Sequence, residues 1–158
     1  MPNVIIVRNI YPDLASLGRV LNYVKCSDYV GGYAVNPNNA FTEMCLLKEA
    51  YHKTEGVQLK HFLITFSIDE FAELDFEDLY NLAIDVGHIF KEYQIVFGIH
   101  VGKNQVHVHF CMNTVSFLDG KKYSEGLAGF NRVKGHLMQI YPQFYTEVIF
   151  REKYEPEK

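Results

Sequence analysis

Cysteine is scarce in this chain. Cys26, Cys45 and Cys111 are odd in number and contain no Cys-x-x-Cys pair, which excludes a disulfide framework and a zinc ribbon and points to a reducing cytoplasm. No apolar run approaches the roughly 20 residues that span a bilayer, so no membrane segment is expected. The opening stretch from Met1 to Arg8 lacks the basic start and small-residue cleavage site of a signal peptide and reads as a strand. Internal repeats and low-complexity linkers are missing. So is an excess of positive charge: 15 Lys and Arg stand against 19 Asp and Glu, a net charge of −4. That balance argues against a nonspecific nucleic-acid binder, which needs a basic surface to displace counterions from phosphate. The charge is segregated, however. Acidic residues crowd Asp69 to Asp78 and Glu152 to Glu157, while Lys103, Lys121 and Lys122 lie beside the histidine hairpin described below. Any one of those lysines, taken alone, reads as part of a solvated face.

What remains is an ordinary globular composition. The 158 residues, 48% of them hydrophobic, suit one domain, 1–158, with a substantial core and a frayed tail after about residue 151. Strands are expected over Val4 to Asn9, His61 to Ser67, Gln94 to Val101, Val106 to Phe117 and Phe144 to Phe150. Asp13 can cap a helix running to Lys25, whose Leu14, Leu17, Leu21 and Val24 form an apolar stripe. Further helices are expected over Ala40 to His52, Phe76 to Tyr93 and Leu127 to Ile140. The segment Asp28 to Asn39, with Gly31, Gly32, Asn36 and Pro37, reads as loop. Five strands interleaved with helices, two of them joined by a tight hairpin, predict an α+β domain: a central five-stranded, mainly antiparallel sheet with flanking helices.

The most informative stretch is that hairpin. His107 and His109 alternate with Val108 and Phe110, so both imidazoles leave the strand on one face. His100 ends the preceding strand and meets them around the polar turn Gly102 to Gln105. Three imidazoles on one face can make an open metal site with room for a substrate oxygen. Histidines that only fill a sheet face are the alternative. Asn113 shares the odd-numbered face and can bond toward the site, as can His61, which opens its own strand. Thr65 and Ser67 read better as sheet-face residues than as phosphate contacts. His52, His88 and His136 fall in helical patterns and read as structural or solvent-facing.

Ile99 to Tyr123 resembles the third motif of plasmid-mobilisation relaxases of the VirD2-like group: a His, a short polar turn, a His-x-His pair, an apolar run through Asn113, and the tail Gly120, Lys121, Lys122, Tyr123. A generic metal hairpin has no reason to share that tail. Lys60 to Ser67 resembles the family's strand before its second helix, and Asn36 to Met44 its middle segment. Arg19 to Val24 resembles its N-terminal motif, which contains a tyrosine. The similarity runs from about Leu17 to Tyr123.

That resemblance implies a metal-dependent relaxase: a site- and strand-specific DNA endonuclease and strand transferase that nicks single-stranded DNA at a plasmid or integrative-element transfer origin during conjugation and forms a 5′-phosphotyrosine intermediate. It implies Tyr23 as nucleophile, with Tyr29 and Tyr33 in reserve or stacking on bases. It implies His100, His107 and His109 as ligands of a divalent ion, Mn²⁺ or Mg²⁺, with Zn²⁺ or Ni²⁺ as further options. His61, Asn113, Lys103, Lys121 and Lys122 would then support the ion or the DNA. A relaxosome accessory protein and a coupling protein are the implied partners. Two departures stand out. Gly102 occupies a position where family members often carry Asp, and Asn104 and Gln105 replace an acidic residue and a His. Carboxylates beside ligating imidazoles orient and strengthen them, so that support must come from elsewhere or be weaker.

Three alternatives remain on sequence grounds. A replication initiator or single-tyrosine transposase of the same His-x-His class would place its nucleophile after the His pair, at Tyr141 or Tyr145. A noncatalytic DNA-binding relaxosome module would explain the acidic charge. A metalloprotein unrelated to nucleic acid would use the three histidines alone.

Overall fold

The computed structural model describes residues 1–152; most of the tail expected to fray lies outside them. The elements run β1 (Asn3–Val7), α1 (Leu14–Lys25), β2 (Tyr29–Tyr33), a 3₁₀ turn (Pro37–Asn39), α2 (Ala40–Ala50), β3 (Leu59–Ser67), α3 (Ile68–Phe71), α4 (Phe76–Phe90), β4 (Tyr93–Val101), β5 (Gln105–Ser116), α5 (Leu127–Ile140) and β6 (Glu147–Arg151). The strands form one sheet in the order β2-β4-β5-β3-β1-β6. Neighbours are antiparallel except β1 and β6, which run parallel.

The α+β class and the mainly antiparallel sheet are as expected, but the sheet has six strands. The addition is β2, which pairs with β4 from Tyr29 opposite Ile99 to Tyr33 opposite Ile95. Gly31 and Gly32 hid it by reading as loop punctuation. A Cβ at Gly31 would stand 2.4 Å from the Phe97 ring and 2.9 Å from that of Tyr80. Here the glycine marks a close approach of side chains to a strand.

β5 lies at the centre, and its period of two divides the molecule. Val106, Val108, Phe110 and Met112 join a core with Leu79, Leu82 and Val86 of α4 and Phe130, Val133 and Leu137 of α5. Within it Phe62 stacks on Phe110 at 4.7 Å. Cys111, on the opposite face, joins Leu17, Leu21 and Val24 of α1, Met44 of α2, and Leu63 and Val96 in a second core. The odd-numbered histidines of β5 therefore face α1 and α2.

Local signals set the helices that matter. Asp13 caps α1 by accepting from Ser16 N at 2.8 Å, and the buried Leu17, Val20, Leu21 and Val24 recur at helical spacing. Asp75 and Asp78 form a reciprocal capping box on α4. Ser67 does the same with Glu70 on α3, which is the role its hydroxyl serves.

Candidate active site

At the end of the sheet where β4 turns into β5, His100 is paired directly with His107. On the other side Thr65 of β3 is the partner of His107, and Leu63 that of His109. His107 and His109 are buried, whereas the His100 side chain is half exposed. His109 is the innermost. Its ring centroid lies 5.6 Å from His107 and 6.0 Å from His61.

α1 brings Tyr23 onto this face. The phenol ring meets His109 edge-on, 5.3 Å between centroids and 85° between planes, and stands 6.2 Å from His61. Its position follows from the helix: Val20 and Val24 are buried to either side, and Tyr23, between them, is only half-buried. Gly98, opposite His109 in the β4–β5 pairing, lets the end of α1 come close. A Cβ there would stand 2.3 Å from the Val24 carbonyl oxygen and from Ser27 Oγ.

The electrostatics favour neutral imidazoles at His61 and His109. Burial pushes His61 down to about 4. Burial, then the neighbouring His61, His107 and His100, holds His109 well below the usual histidine range. Tyr11 Oη lies 3.1 Å from His61 Nδ1, and burial followed by Cys111 pushes the phenol up to about 12. A phenol that keeps its proton donates to the imine nitrogen of a neutral imidazole. In the tautomer whose Nδ1 accepts that bond, the ring proton sits on Nε2.

A family model, described as the MobA/VirD2-like relaxase nuclease domain, matches residues 22–141, about three quarters of the chain. The chain belongs to that family. Among solved structures, the MobM relaxase domain (MOBV; Mob_Pre) bound to 26-nucleotide pMV158 oriT DNA is similar to it. The TM-score is 0.56 and the identity 13%, covering 100% of this chain and 94% of that one. At that identity the likeness shows a shared fold. No curated protein matches.

A relaxase domain of this family implies a divalent ion at the histidines. The donor set fits in kind: neutral imidazole is the ligating form, His100 and His107 face each other across the hairpin, and His107 and His109 share a face. As the side chains stand, however, no group of three or more His, Cys, Asp or Glu among the described residues is arranged to hold a metal ion. His107 Nε2 lies 3.1 Å from Gln105 Oε1, and His100 is turned toward Asp28, with Nδ1 3.6 Å from Oδ2. Closing the site requires these two imidazoles to turn.

Asp28 escaped sequence reasoning. It follows α1 by three residues and lies 72 residues from His100 in the chain, so no local pattern joins them. Its Oδ2 also accepts from Val101 N at 2.9 Å, which fixes the carboxylate against the end of β4. It stands beside the first histidine, a support that Gly102 cannot give.

Other expected site residues lie elsewhere. Asn113 does not point to the histidines: its Oδ1 accepts from buried Lys48 Nζ at 2.6 Å and its Nδ2 donates to Gln94 Oε1 at 3.0 Å. Lys121 and Lys122 fold back against the far end of β5, Lys122 opposite Val115, about 26 Å from His107 at the rise of a strand, and Lys122 Nζ donates to the Glu55 carbonyl. Closeness in sequence was misleading because β5 is long, 12 residues. Lys103 is exposed in the hairpin turn next to His100. Tyr29 and Tyr33 are on the α4 side of the sheet, against Phe76 and His88 respectively, and Tyr33 Oη donates to the Lys91 carbonyl. The sheet separates both from His109. Tyr141 also packs on that side, against Phe66.

Proposed function

We propose that this relaxase domain, taken as one unit over 1–158, is a metal-dependent, tyrosine-using endonuclease and strand transferase. It nicks single-stranded DNA, site- and strand-specifically, at a plasmid or integrative-element transfer origin, in the cytoplasm, alongside accessory and coupling proteins of conjugation. The observation that carries this reading is the edge-on contact of Tyr23 with His109, which sets the family's tyrosine against the His-x-His pair. The oriT DNA in the MobM structure supports the choice of substrate.

His100, His107 and His109 would hold the ion, which supplies polarisation of a nonbridging phosphate oxygen. Tyr23 Oη attacks phosphorus, and a P–O bond to tyrosine forms as the P–O3′ bond breaks. The phenol proton leaves to water, since Tyr23 is only half-buried, and the departing 3′ oxygen takes up a proton to become a hydroxyl. The 5′ phosphate remains on Tyr23, which stores the bond for rejoining. His61, with its proton on Nε2, donates toward the phosphate as negative charge builds there. Asp28 orients His100. Lys103 offers a cation to the DNA backbone. Mn²⁺ suits three imidazoles better than Mg²⁺, which prefers oxygen, and Zn²⁺ and Ni²⁺ share that nitrogen preference.

Calorimetry with Mn²⁺ on wild type and His107→Ala, with and without a single-stranded oligonucleotide, tests the reading. One-to-one binding that His107→Ala abolishes supports it. Absence of binding in both conditions overturns it. The unconverged imidazoles favour one competing reading, a noncatalytic DNA-binding relaxosome module. DNA binding by that module would be indifferent to Mn²⁺ and to Tyr23→Phe.

A further inference from the structure

Beside Tyr23 lies a cavity of about 310 Å³. Tyr11, Tyr23 and His61 wall it, Val7 and Val20 line it, and Asn9 and Arg19 complete its polar part. Its size is at the small end of the roughly 300–1,000 Å³ of small-molecule sites, which is room for a single base with its sugar. Its walls are aromatic rings, the surfaces on which unstacked bases settle.

The wall is rigid where it matters. Tyr11 is buried and has a φ of 47°, a conformation that bulky residues seldom adopt and that surrounding contacts must enforce. Here its hydroxyl meets His61, its carbonyl accepts from Gln58 N at 3.0 Å, and its ring packs in the α1 core. Arg19 is exposed on α1. Its Nη2 donates to Ser16 Oγ at 3.0 Å, which uses one of five N–H donors and leaves a planar fork at the cavity. Asn9 Oδ1 stands 3.5 Å from Tyr11 N.

Charge sharpens the inference. The net charge of −4 supplies no general attraction for DNA, and sequence is read through base contacts. A guanidinium fork pairs with the O6 and N7 acceptors of guanine. We propose that this cavity receives one unstacked guanine of the DNA strand next to the scissile phosphate, packed against Tyr11 and read by Arg19. This deepens the relaxase reading and rests on it. Seating a base there would anchor the strand on the Tyr23 side of the histidines.

The test is selection from a randomised single-stranded oligonucleotide pool by wild type, Arg19→Lys and Arg19→Ala, with thermal melting to confirm that each is folded. Wild type enriches a motif with one invariant guanine. Replacing that guanine by 7-deazaguanine, which lacks N7, weakens wild-type binding about tenfold and leaves Arg19→Ala unaffected; Arg19→Lys loses the preference as Arg19→Ala does. Three results overturn the proposal. One is a motif without an invariant guanine. A second is an Arg19→Ala protein that keeps the guanine preference while binding every sequence more weakly, the mark of a phosphate contact. The third is sequence-selective binding and nicking that Arg19→Ala leaves unaltered at every position, which sinks the guanine site and spares the relaxase reading. Wild type that retains no single-stranded DNA overturns both.

Discussion

Tyr23 and His109 touch edge to face, 5.3 Å between ring centroids, and the contact depends on a glycine. Gly98 lies opposite His109 on β4, where a Cβ would stand 2.3 Å from the Val24 carbonyl and Ser27 Oγ. Gly98→Ala must push the C-terminal turn of α1 off the sheet and carry Tyr23 with it. Such overpacking costs about 1–3 kcal/mol. A melting curve should show a lower midpoint in a folded protein. Nicking should fall further than the loss of folded protein explains. Wild-type nicking in Gly98→Ala would mean that the Tyr23–His109 contact is not needed.

Asp28 supports His100 from across the fold, and the two side chains are about half exposed. An exposed pair of this kind adds little to stability, so Asp28→Asn should melt close to wild type. Its effect belongs on the metal: carboxylates that orient ligating histidines are typically worth 10–100-fold in affinity. Mn²⁺ titration should show a loss of about that size. Unchanged affinity would remove Asp28 from the site.

Much of the fold could be read from residue order. The cap at Asp13 and the stripe from Leu17 to Val24 located α1, and the alternation around His107 located β5 and its two faces. Composition obscured β2, because Gly31 serves side-chain packing there and Gly32 the close approach of the Val35 carbonyl and Pro37. The candidate site is legible where it is local: His100, His107 and His109 come from one hairpin, and the family motif singles out Tyr23 as the proposed nucleophile. Asp28 and Tyr11 reach the site only through tertiary contacts that no spacing encodes, whereas Arg19 shares a helix face with Tyr23 at i,i+4 spacing. Asn113 was misjudged for a related reason. Sharing a face with His109 says nothing of which neighbour arrives first, and four residues along β5 that neighbour is Lys48.

Lys48 is itself a buried charge, with Nζ held by the Gln58 carbonyl and Asn113 Oδ1. Burial, then Lys122, pushes it down to about 8 from 10.5. The folded value is below the unfolded one, so between pH 8 and 10.5 the unfolded chain holds more protons and stability rises with pH. The cost of the charge is fully present below about pH 8. It is relieved across that window by roughly 3 kcal/mol. Cys111 works against this above pH 9, since burial pushes its thiol up to about 12 and the unfolded thiol ionises first. The difference between wild type and Lys48→Met isolates the lysine. Denaturant unfolding from pH 7 to 10 should give wild type the more positive slope, and parallel curves would contradict a buried, charged Lys48.

The tyrosines separate the competing nucleophiles. Tyr29 and Tyr33 are on the α4 side of the sheet, as is Tyr141, so Tyr29→Phe, Tyr33→Phe and Tyr141→Phe should each leave covalent adduct formation within about twofold of wild type, the scatter of surface substitutions near ±0.5 kcal/mol. Tyr23→Phe should abolish the adduct and keep DNA binding. Gel mobility of the protein–DNA adduct checks all four variants.

The most direct measurement is the identity of the adducted residue. The protein is incubated with Mn²⁺ and a randomised single-stranded pool, digested with nuclease and trypsin, and its peptides are weighed. A Tyr23 nucleophile predicts the phosphonucleotide mass on the peptide Val20 to Lys25, and its loss in Tyr23→Phe. An adduct on any other residue, or none from protein that binds both Mn²⁺ and DNA, would contradict it.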